Sequence, residues 1–492
     1  MFNWIKSILT DVTGVDPAAT AGTQPRAVGA QSEAYRKQGN LFLADGNLYE
    51  AEASYRQSIA ADPNSVNARI NLGFVLLKQN RLEDAKLALE RAVSVDPQIA
   101  DGHYLLATLS QQRNRQAEAI GNFDRALAIN PEFAEAHHGL GVTFRVLGRL
   151  DEALRCFDKA LSIRPGFSPS RFNKSLVLLL RGDFAGGLEL FESRLDVCEE
   201  RQILDWMAYL SDHPEKPLWQ GQDLQGRRLL VWTEQGAGDC MMMMRYVPRL
   251  AEKSVGKILV LSDPSLTRLI QTLPVACEVT SQVGDRLWES FDFHCSIMSL
   301  PFLFGTRLDT IPNVVPYLHV ADDLRKKWSE RLAGSKGLRV GLVWAGNRGY
   351  GRDFVRSVSL RQLSPLFDVP GATFISLQKG VVADELEDTH RSMLNWMDEC
   401  EDFMDTAALI ANLSLVISVD TSVAHLTGAL GVPVWLLNRF ESEWRWLRDG
   451  ERSPWYPTMR IFRQTVSNDW DSVVKRIADE LARLSRSGTT TG

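Results

Sequence analysis

The sequence predicts two kinds of fold in one chain: an α-helical solenoid followed by an α/β region built on parallel sheets. Two observations lead to this prediction. Prolines recur at intervals of 34 residues near the front of the chain, at Pro63, Pro97, Pro131 and Pro165. From Arg227 onward, where no such repeat occurs, short apolar runs that end in glycine or polar loops alternate with helical stretches.

A period of 34 residues is the length of the tetratricopeptide helix-turn-helix repeat. Aligning the chain on its prolines brings small residues into two columns and large apolar residues into a third, on the same helical face as the second. Small residues let paired helices approach closely, so the columns predict one continuous core. They are Gly39, Gly73, Ala107 and Gly141; Ala51, Ala85, Ala119 and Ala153; and Tyr55, Leu89, Phe123 and Phe157.

A fifth, looser unit follows, with Leu178, Gly187 and Phe191 in register but no closing proline. Arrays of this kind present a concave surface that holds a partner protein in most cases. We therefore expect a partner protein to bind the first helices of the repeats, where polar residues are predicted to be exposed. These residues are Asn71, His103, His137, His138 and Arg171.

Composition and charge narrow the class of protein. The net charge is −6, which argues against a nucleic-acid partner. No apolar run approaches the ~18 residues of a membrane-spanning helix, so no transmembrane segment is expected. The six cysteines have neither the spacing of a zinc site nor the density of a disulfide scaffold, and a cytoplasmic location fits them best. Residues 1–30 are too weakly basic for a signal peptide and are expected to form a flexible tail.

The pattern divides the rest of the chain into a repeat array at 31–199, a linker at 200–225, two α/β domains at 226–335 and 336–485, and a tail at 486–492. The two α/β domains meet at a charged helix that ends in Gly-Ser-Lys-Gly, after which a new strand begins. Ligands in such folds bind at the carboxyl ends of the strands. The predicted strands are 229–233, 257–261, 291–297, 338–344, 373–377, 415–419 and 432–437.

The loop after the first strand reads Glu-Gln-Gly-Ala-Gly-Asp, residues 234–239. Gln235, Gly236 and Gly238 would let the backbone approach a ligand, although the third glycine of a dinucleotide-binding pattern is missing. Asp239 falls in the first turn of the next helix, where it is either a helix cap or a functional carboxylate. The methionines at 241–244 surround a helical turn and are predicted to pack in the core.

Polar residues also follow two later strands. Thr421 and Ser422 open a helix after the strand at 415–419, where they can cap the helix or hold a phosphate. Basic residues gather after the strand at 338–344 and beside the end of the strand that follows it. They are either a diphosphate pocket or solvated surface charge. They are Arg348, Arg352, Arg356 and Lys379.

Seven motifs, in this order, resemble those of bacterial tetratricopeptide glycosyltransferases, relatives of the heptosyltransferases and of the O-linked N-acetylglucosamine transferases. The resemblance covers nearly all of the chain after residue 30 and implies a GT-B fold, two Rossmann-like domains with the nucleotide-sugar donor mainly on the second. Cys240 and the methionines after it depart from the more polar stretch expected there. The motifs are Glu-Gln-Gly-Ala-Gly-Asp, Gly-Leu-Val-Trp-Ala-Gly-Asn, Arg-Ser-Val, Ser-Leu-Gln-Lys-Gly, Asp-Phe-Met-Asp-Thr-Ala-Ala-Leu-Ile, Ser-Val-Asp-Thr-Ser-Val-Ala-His and Ser-Pro-Trp-Tyr-Pro.

The resemblance also implies roles for individual residues. Asp239 would be the general base, and His294, near another strand end, is the reserve candidate. Thr421 and Ser422 would hold the donor diphosphate, and His425 would line the donor pocket. The remaining residues expected on the donor side are Asn347, Arg356, Ser357, Gln378, Lys379 and Asp420.

The expected reaction moves a sugar from a nucleotide sugar to a Ser or Thr hydroxyl of a protein held by the repeats, and flagellin is a candidate acceptor because some relatives modify it. A helix N-terminus and basic residues would stabilise the leaving group, so neither a metal nor a cofactor is expected. The one Asp-x-Asp triplet, at Asp469 and Asp471, is predicted to cap a helix. Two alternatives remain open: a glycan or lipid-linked acceptor, and a non-catalytic repeat scaffold with a degenerate α/β region.

Overall fold

The computed structural model describes residues 25–197, 210, 213, 215–283, 287, 289–347, 353–380 and 393–488. Most of the predicted N-terminal tail, the first part of the predicted linker, Arg348, Arg352 and the last four residues lie outside the described residues. The chain divides into two compact units, Met1–Val177 and Leu178–Gly492.

The first unit is entirely helical in its described part. Each 34-residue repeat contributes two antiparallel helices, and each closing proline follows a residue that ends the second helix. Asp62, for example, has an extended backbone ahead of Pro63 and donates its N–H to the Ser58 carbonyl oxygen at 2.9 Å. A residue before proline is disfavoured in the helical region, so the proline sets the helix end. The helices are α1 Pro25–Ala44, α2 Leu48–Ala61, α3 Val66–Lys78, α4 Leu82–Val95, α5 Ala100–Gln112, α6 Gln116–Ile129, α7 Ala134–Val146, α8 Leu150–Ile163 and α9 Ser168–Leu180.

The predicted core columns of the repeats are confirmed. All the alanines of the second column and the large residues of the third are fully buried. A Cβ atom added at Gly73 would lie 2.5 Å from the Leu89 side chain, and one added at Gly141 would lie 2.7 Å from the Phe157 ring. Paired helices therefore approach more closely than any residue larger than glycine permits at these positions.

We expect Gly73→Ala to destabilise the protein by about 1–3 kcal/mol, because the added methyl overpacks the α3–α4 contact. Gly121 on α6 is the matched control, since a Cβ added there meets no atom within 4 Å. Gly121→Ala should instead stabilise the helix by about 0.5–1 kcal/mol. Chemical denaturation of both variants measures the two effects. Equal free energies of unfolding in the two variants would contradict the predicted close contact.

The prediction that polar residues on the first helices are exposed is wrong for three of them. Asn71 is buried and donates its side-chain amide to Asn40 Oδ1 at 2.9 Å, and His103 is buried beside the Pro97 carbonyl oxygen at 3.2 Å. His138 Nδ1 lies 3.0 Å from Ser170 Oγ, and burial lowers the pKa of His138 to about 4. Asn71 and His138 therefore connect neighbouring repeats, whereas His103 contacts the turn before its own helix.

The second unit contains two parallel sheets, which confirms the predicted α/β character of this region. The first sheet has strand order β3-β2-β1-β4, and the second has order β10-β9-β8-β5-β6-β7. The seven predicted strands are present, within two residues at each end. The strands are β1 Arg228–Trp232, β2 Lys257–Leu261, β3 Glu278–Thr280, β4 Phe293–Ser296, β5 Leu338–Val343, β6 Ala372–Ser376, β7 Leu394–Asn395, β8 Leu415–Val419, β9 Val434–Asn438 and β10 Met459–Arg463.

Helices and short 3₁₀ turns connect these strands. Trp344, Phe374, Ile417 and Ile477 belong to the core of the second sheet, which includes the last helix. The α-helices after α9 are α10 Phe184–Phe191, α11 Arg194–Val197, α12 Ala237–Met243, α13 Thr267–Ile270, α14 Leu300–Leu303, α15 Asp322–Arg331, α16 Ser364–Phe367, α17 Phe403–Ile410, α18 Ser422–Ala429 and α19 Trp470–Gly488. Among the described residues, no helix combines the length and apolar character needed to cross a bilayer.

The second helix of the predicted fifth repeat packs within the second unit. A Cβ atom added at Gly187 on α10 would lie 2.6 Å from the Leu179 side chain, as the repeat pattern predicts. The rings of Phe184 and Phe191 lie 6.3 and 5.8 Å from that of Trp444, measured between centroids. The apolar face of this last repeat helix is therefore covered by a segment that follows β9.

Candidate functional site

The loop after β1 places Asp239 in the first turn of α12. Gln235 has a positive φ of 62°, a conformation uncommon outside glycine, and Gly236 is the N-cap residue. The backbone N–H of Asp239 donates to the Gly236 carbonyl oxygen at 3.0 Å. The Asp239 carboxylate forms no cap hydrogen bond, so the loop presents it to other elements.

Gly238 brings α12 directly against α18. A Cβ atom added at Gly238 would lie 2.8 Å from Cδ2 of His425 and 3.2 Å from Cα of Ser422. Any larger residue would push the two helices apart. Since α12 follows β1 and α18 follows β8, the carboxyl ends of the two central strands face each other here, and the candidate residues of both sheets meet at one place.

Asp239 is held by Arg445, which lies between β9 and β10. Arg445 Nε donates to Asp239 Oδ1 at 2.5 Å, and Nη2 of the same arginine contacts the same oxygen. Arg445 Nη2 also reaches Gln235 Oε1 at 3.4 Å. Asp239 Oδ2 has no hydrogen-bond partner among the described residues. The carboxylate therefore has one oxygen fixed and one available.

The surroundings of this pair perturb its ionisation. Burial raises the pKa of Asp239, and the Arg445 guanidinium opposes that effect. Glu443 lies 3.7 Å from Arg445 and also favours the protonated form of Asp239. Burial raises the pKa of Asp420 as well, with Glu443 adding to the rise and Arg445 opposing it. The carboxylates of Asp239, Asp420 and Glu443 thus all interact electrostatically with Arg445, in a partly buried region.

The residues after β8 form the start of α18. Thr421 is the N-cap residue with an extended backbone, and its hydroxyl lies 3.1 Å from Ser418 Oγ instead of capping the helix. The Ser422 hydroxyl has no hydrogen-bond partner in the part of the chain that the structure describes. Both residues are half-buried. The Ser422 hydroxyl and the first backbone amides of α18 are consequently available to a polar group.

His425 is buried one turn into α18. Its Nδ1 lies 3.0 Å from the Tyr456 hydroxyl, and its ring stacks on Trp446 with the centroids 4.9 Å apart. Burial, reinforced by the charges of Arg445 and Arg245, holds the pKa of His425 well below its usual value. The imidazole is therefore neutral, and the contacts described here pack it between α12 and the segments around β10.

The Arg-Ser motif after β5 forms a compact polar cluster. Arg356 Nε donates to Asp353 Oδ1 at 2.8 Å, and its Nη1 donates to the Asp420 carbonyl oxygen at 3.2 Å. Ser357 donates to Asp353 Oδ2 at 2.7 Å and accepts from the Gly346 N–H at 3.1 Å. The contact between Arg356 and Asp420 joins the β5 and β8 loops. Asn347 is exposed at the end of the same loop.

Gln378 and Lys379 follow β6 with different surroundings. Gln378 is buried, and its Oε1 accepts from the backbone N–H groups of Trp344 and Ala345 at 3.2 and 3.0 Å. It thereby shapes the β5 loop. Lys379 is exposed, and its Nζ donates to the Cys400 carbonyl oxygen at 2.6 Å.

His294, the reserve base, lies within β4 and pairs with Leu230 on β1. It is buried, and its Nδ1 accepts from the Trp232 indole N–H at 3.3 Å. Burial lowers its pKa to about 4. The structure thus places His294 in the sheet with one ring nitrogen occupied, in contrast to the available oxygen of Asp239.

Sequence reasoning missed the arginines that connect the two sheets. Arg445 was not recognised because nothing in its local sequence distinguishes it from a surface arginine. Arg245 is buried and donates to the Trp455 carbonyl oxygen at 2.6 Å and to the Tyr317 hydroxyl at 3.0 Å. Arg245 falls after the methionine run, and its partner Trp455 lies in the Ser-Pro-Trp-Tyr-Pro motif, which was the one available signal.

Two predictions of a structural role are confirmed, one for the Asp-x-Asp triplet and one for the methionine run. Asp469 accepts from the Ser472 N–H at 3.1 Å, so it caps the start of α19 as expected for the Asp-x-Asp triplet. The methionines at 241–244 are buried in the core. In the described ranges, no group of three or more His, Cys, Asp or Glu side chains is arranged to hold a metal ion.

Comparison with known proteins supports the assignment of the helical part to tetratricopeptide repeats. Tetratricopeptide repeat models match residues 42–109 and 134–167. Among curated proteins, the chain is similar to Protein FlbA of Caulobacter vibrioides, with 28% identity over 349 residues. The similarity covers 64% of this chain and 55% of FlbA, so the chain spans about half the length of that relative.

Among solved structures, the chain is similar to several repeat proteins, each over little more than a third of its length. MamA has 26% identity and a TM-score of 0.29, covering 34% of this chain and 92% of that one. YrrB, described as a TPR protein with an unusual peptide-binding site, has 22% identity and a TM-score of 0.29, covering 39% and 100%. PilF of Pseudomonas aeruginosa has 19% identity and a TM-score of 0.32, covering 38% and 94%. Scores of this size carry no argument of their own, and the family models with the 34-residue core establish that the chain carries tetratricopeptide repeats.

Proposed function

We propose that this protein is a metal-independent glycosyltransferase of the GT-B type, which moves a sugar from a nucleotide sugar to a hydroxyl of a protein recruited by its repeats. One observation carries the proposal. Asp239 presents an available carboxylate oxygen where α12 meets the N-terminus of α18, which carries Thr421 and Ser422. A base can take the proton of an acceptor hydroxyl, and a helix N-terminus can bind the phosphate of a leaving nucleotide.

In the proposed transfer, each step is assigned to a group of this site. Asp239 Oδ2 takes the proton of the acceptor hydroxyl as its oxygen forms a bond to the anomeric carbon of the sugar. The bond between that carbon and the donor phosphate oxygen breaks, and the nucleotide leaves with the electron pair. The backbone amides of α18, with the Thr421 and Ser422 hydroxyls, stabilise the negative charge on the leaving phosphate. Arg356 reaches the same loop through the Asp420 carbonyl oxygen and adds positive charge.

The repeats support a protein as the acceptor. Tetratricopeptide arrays bind partner proteins on their concave face, and the repeats in this chain have the regular glycine and alanine core of such an array. The resemblance to transferases that modify flagellin makes flagellin our first candidate acceptor. We place the reaction in the cytoplasm because of the cysteine usage.

A nucleotide should stabilise the protein by binding its native state. A panel of UDP, GDP, ADP, CMP and their sugars, at a hundredfold excess over the dissociation constant, is expected to add about 2.7 kcal/mol for the ligand that binds. Thermal unfolding measures the shift. The double variant Thr421→Val, Arg356→Ala should lose it, whereas Arg331→Gln, an exposed site paired with Glu399, should keep it. A panel that leaves the unfolding temperature of the unsubstituted protein unchanged would reject the donor site.

A further inference from the structure

Arg445 carries an inference that rests on the proposed function and deepens it. The arginine lies between β9 and β10 of the second sheet, whereas Asp239 lies on the helix after β1 of the first. The two side chains are 12% and 17% exposed, so water competes little for their contact. Both contacts from the guanidinium go to Oδ1 of Asp239, instead of one to each oxygen.

This geometry differs from the two-oxygen fork that arginine and carboxylate usually form. A fork would engage both oxygens of Asp239, so that neither would be free of the guanidinium. Here Nε and Nη2 converge on Oδ1, and Oδ2 stays without a hydrogen-bond partner among the described residues. The β1 loop also helps to fix the guanidinium, because Gln235, which has a positive φ, places its side-chain oxygen near the same Nη2.

We propose that Arg445 is the positioning residue of the site, holding Asp239 from the opposite sheet by one oxygen so that the other faces the acceptor hydroxyl. The carboxylate is then correctly oriented only when the two sheets are together. Arg445 acts through Asp239 and has no role of its own on the reacting atoms.

The charges around Asp239 predict how this role can be measured. Arg445 favours the ionised carboxylate, whereas burial, Glu443 and Glu234 favour the protonated form. Glu234 is itself paired with Arg194 at 2.6 Å, and His425 on the facing helix is neutral. Asp420, in the β8 loop, attracts the Arg445 guanidinium electrostatically. Removing Arg445 leaves the opposing influences, so the pKa of Asp239 should rise.

The test measures nucleotide release against pH in the full chain, with flagellin as the acceptor and, as the donor, the nucleotide sugar of the panel that gives the largest thermal shift. Asp239 must be ionised to act as base, so activity rises with pH through its pKa. In Arg445→Gln this acidic limb should move up by about 1–3 pH units, with activity recovering at high pH. In Arg445→Lys, which keeps the positive charge, the acidic limb should move up by less. Glu443→Gln should move the limb in the opposite direction, and Arg331→Gln should leave it in place.

Thermal unfolding of Asp239→Asn, Arg445→Gln and the double variant tests the contact without reference to activity. The double variant should recover part of the unfolding temperature that Arg445→Gln loses, because the two groups are coupled. If Arg445→Gln loses activity equally at every pH, or if its acidic limb does not move, the positioning role is overturned. Nucleotide release by the unsubstituted protein would still uphold the proposed function in that case. Absence of release by the unsubstituted protein would reject both.

Discussion

Replacing Asp239 with asparagine is expected to reduce transfer by about 10²- to 10⁴-fold, the usual contribution of a general base. Asparagine keeps the size of the side chain and can still accept from Arg445, but it cannot take the acceptor proton. Nucleotide binding should persist, because the contacts of Asp239 with described residues are to Arg445 and not to the α18 N-terminus. Intact mass of flagellin co-expressed with each variant measures the transfer.

Asp322→Asn is the control for this experiment, since Asp322 is an exposed aspartate at the start of α15 in the same unit. It should transfer sugar at the normal rate. The thermal shift with nucleotide then separates a lost base from a lost fold. If Asp239→Asn transfers sugar as fast as the control, the base lies elsewhere, and His294→Gln becomes the next variant to measure.

Deleting residues 1–165 is expected to lower modification of a protein acceptor by roughly 10²-fold or more, because a tethered binding surface raises the local concentration of its partner by factors of this order. The cut falls before α9, so Leu179 stays available to pack against Gly187. Donor binding should therefore survive in the remainder. Modification of flagellin, measured by intact mass, and the thermal shift with nucleotide report the two properties separately.

The truncated chain must first show a cooperative thermal transition, because the face of α9 that packed against the preceding repeat becomes exposed. A folded truncated enzyme that modifies the protein acceptor fully would reject recruitment by the repeats. That result would favour the alternative in which the acceptor is a glycan or a lipid-linked sugar and the repeats serve assembly.

Regularity decided how much of the fold could be predicted. The repeat columns were predictable because the same residue pattern occurs four times, and Gly73 with Leu89 and Gly141 with Phe157 show the same packing. The central strands were predictable because strands buried on both faces are continuous apolar runs. The three strands that we missed, β3, β7 and β10, lie at sheet edges, where strands are short or carry charges such as Arg460 and Arg463.

The candidate site was predictable in its loops but not in its contacts. The ends of β1, β5, β6 and β8 could be located from the sequence, and carboxyl ends of parallel strands are where ligands bind. Tertiary structure was needed to show that Asn71 and His103 are buried, since exposure depends on packing within the array. It was also needed to show that His294, in a strand located from the sequence, is buried and accepts from the Trp232 indole.

The sequence by itself determined the repeat period, the helices and the order of the central strands, because each depends on residues within a few positions of one another. Only the tertiary structure decided that Asp239 is paired with Arg445, 206 residues away. A close approach at Gly238 brings α12 and α18 together, and that contact joins segments whose local sequences are independent. The ionisation and orientation of Asp239 follow from this long-range pair, and therefore from packing and not from any motif.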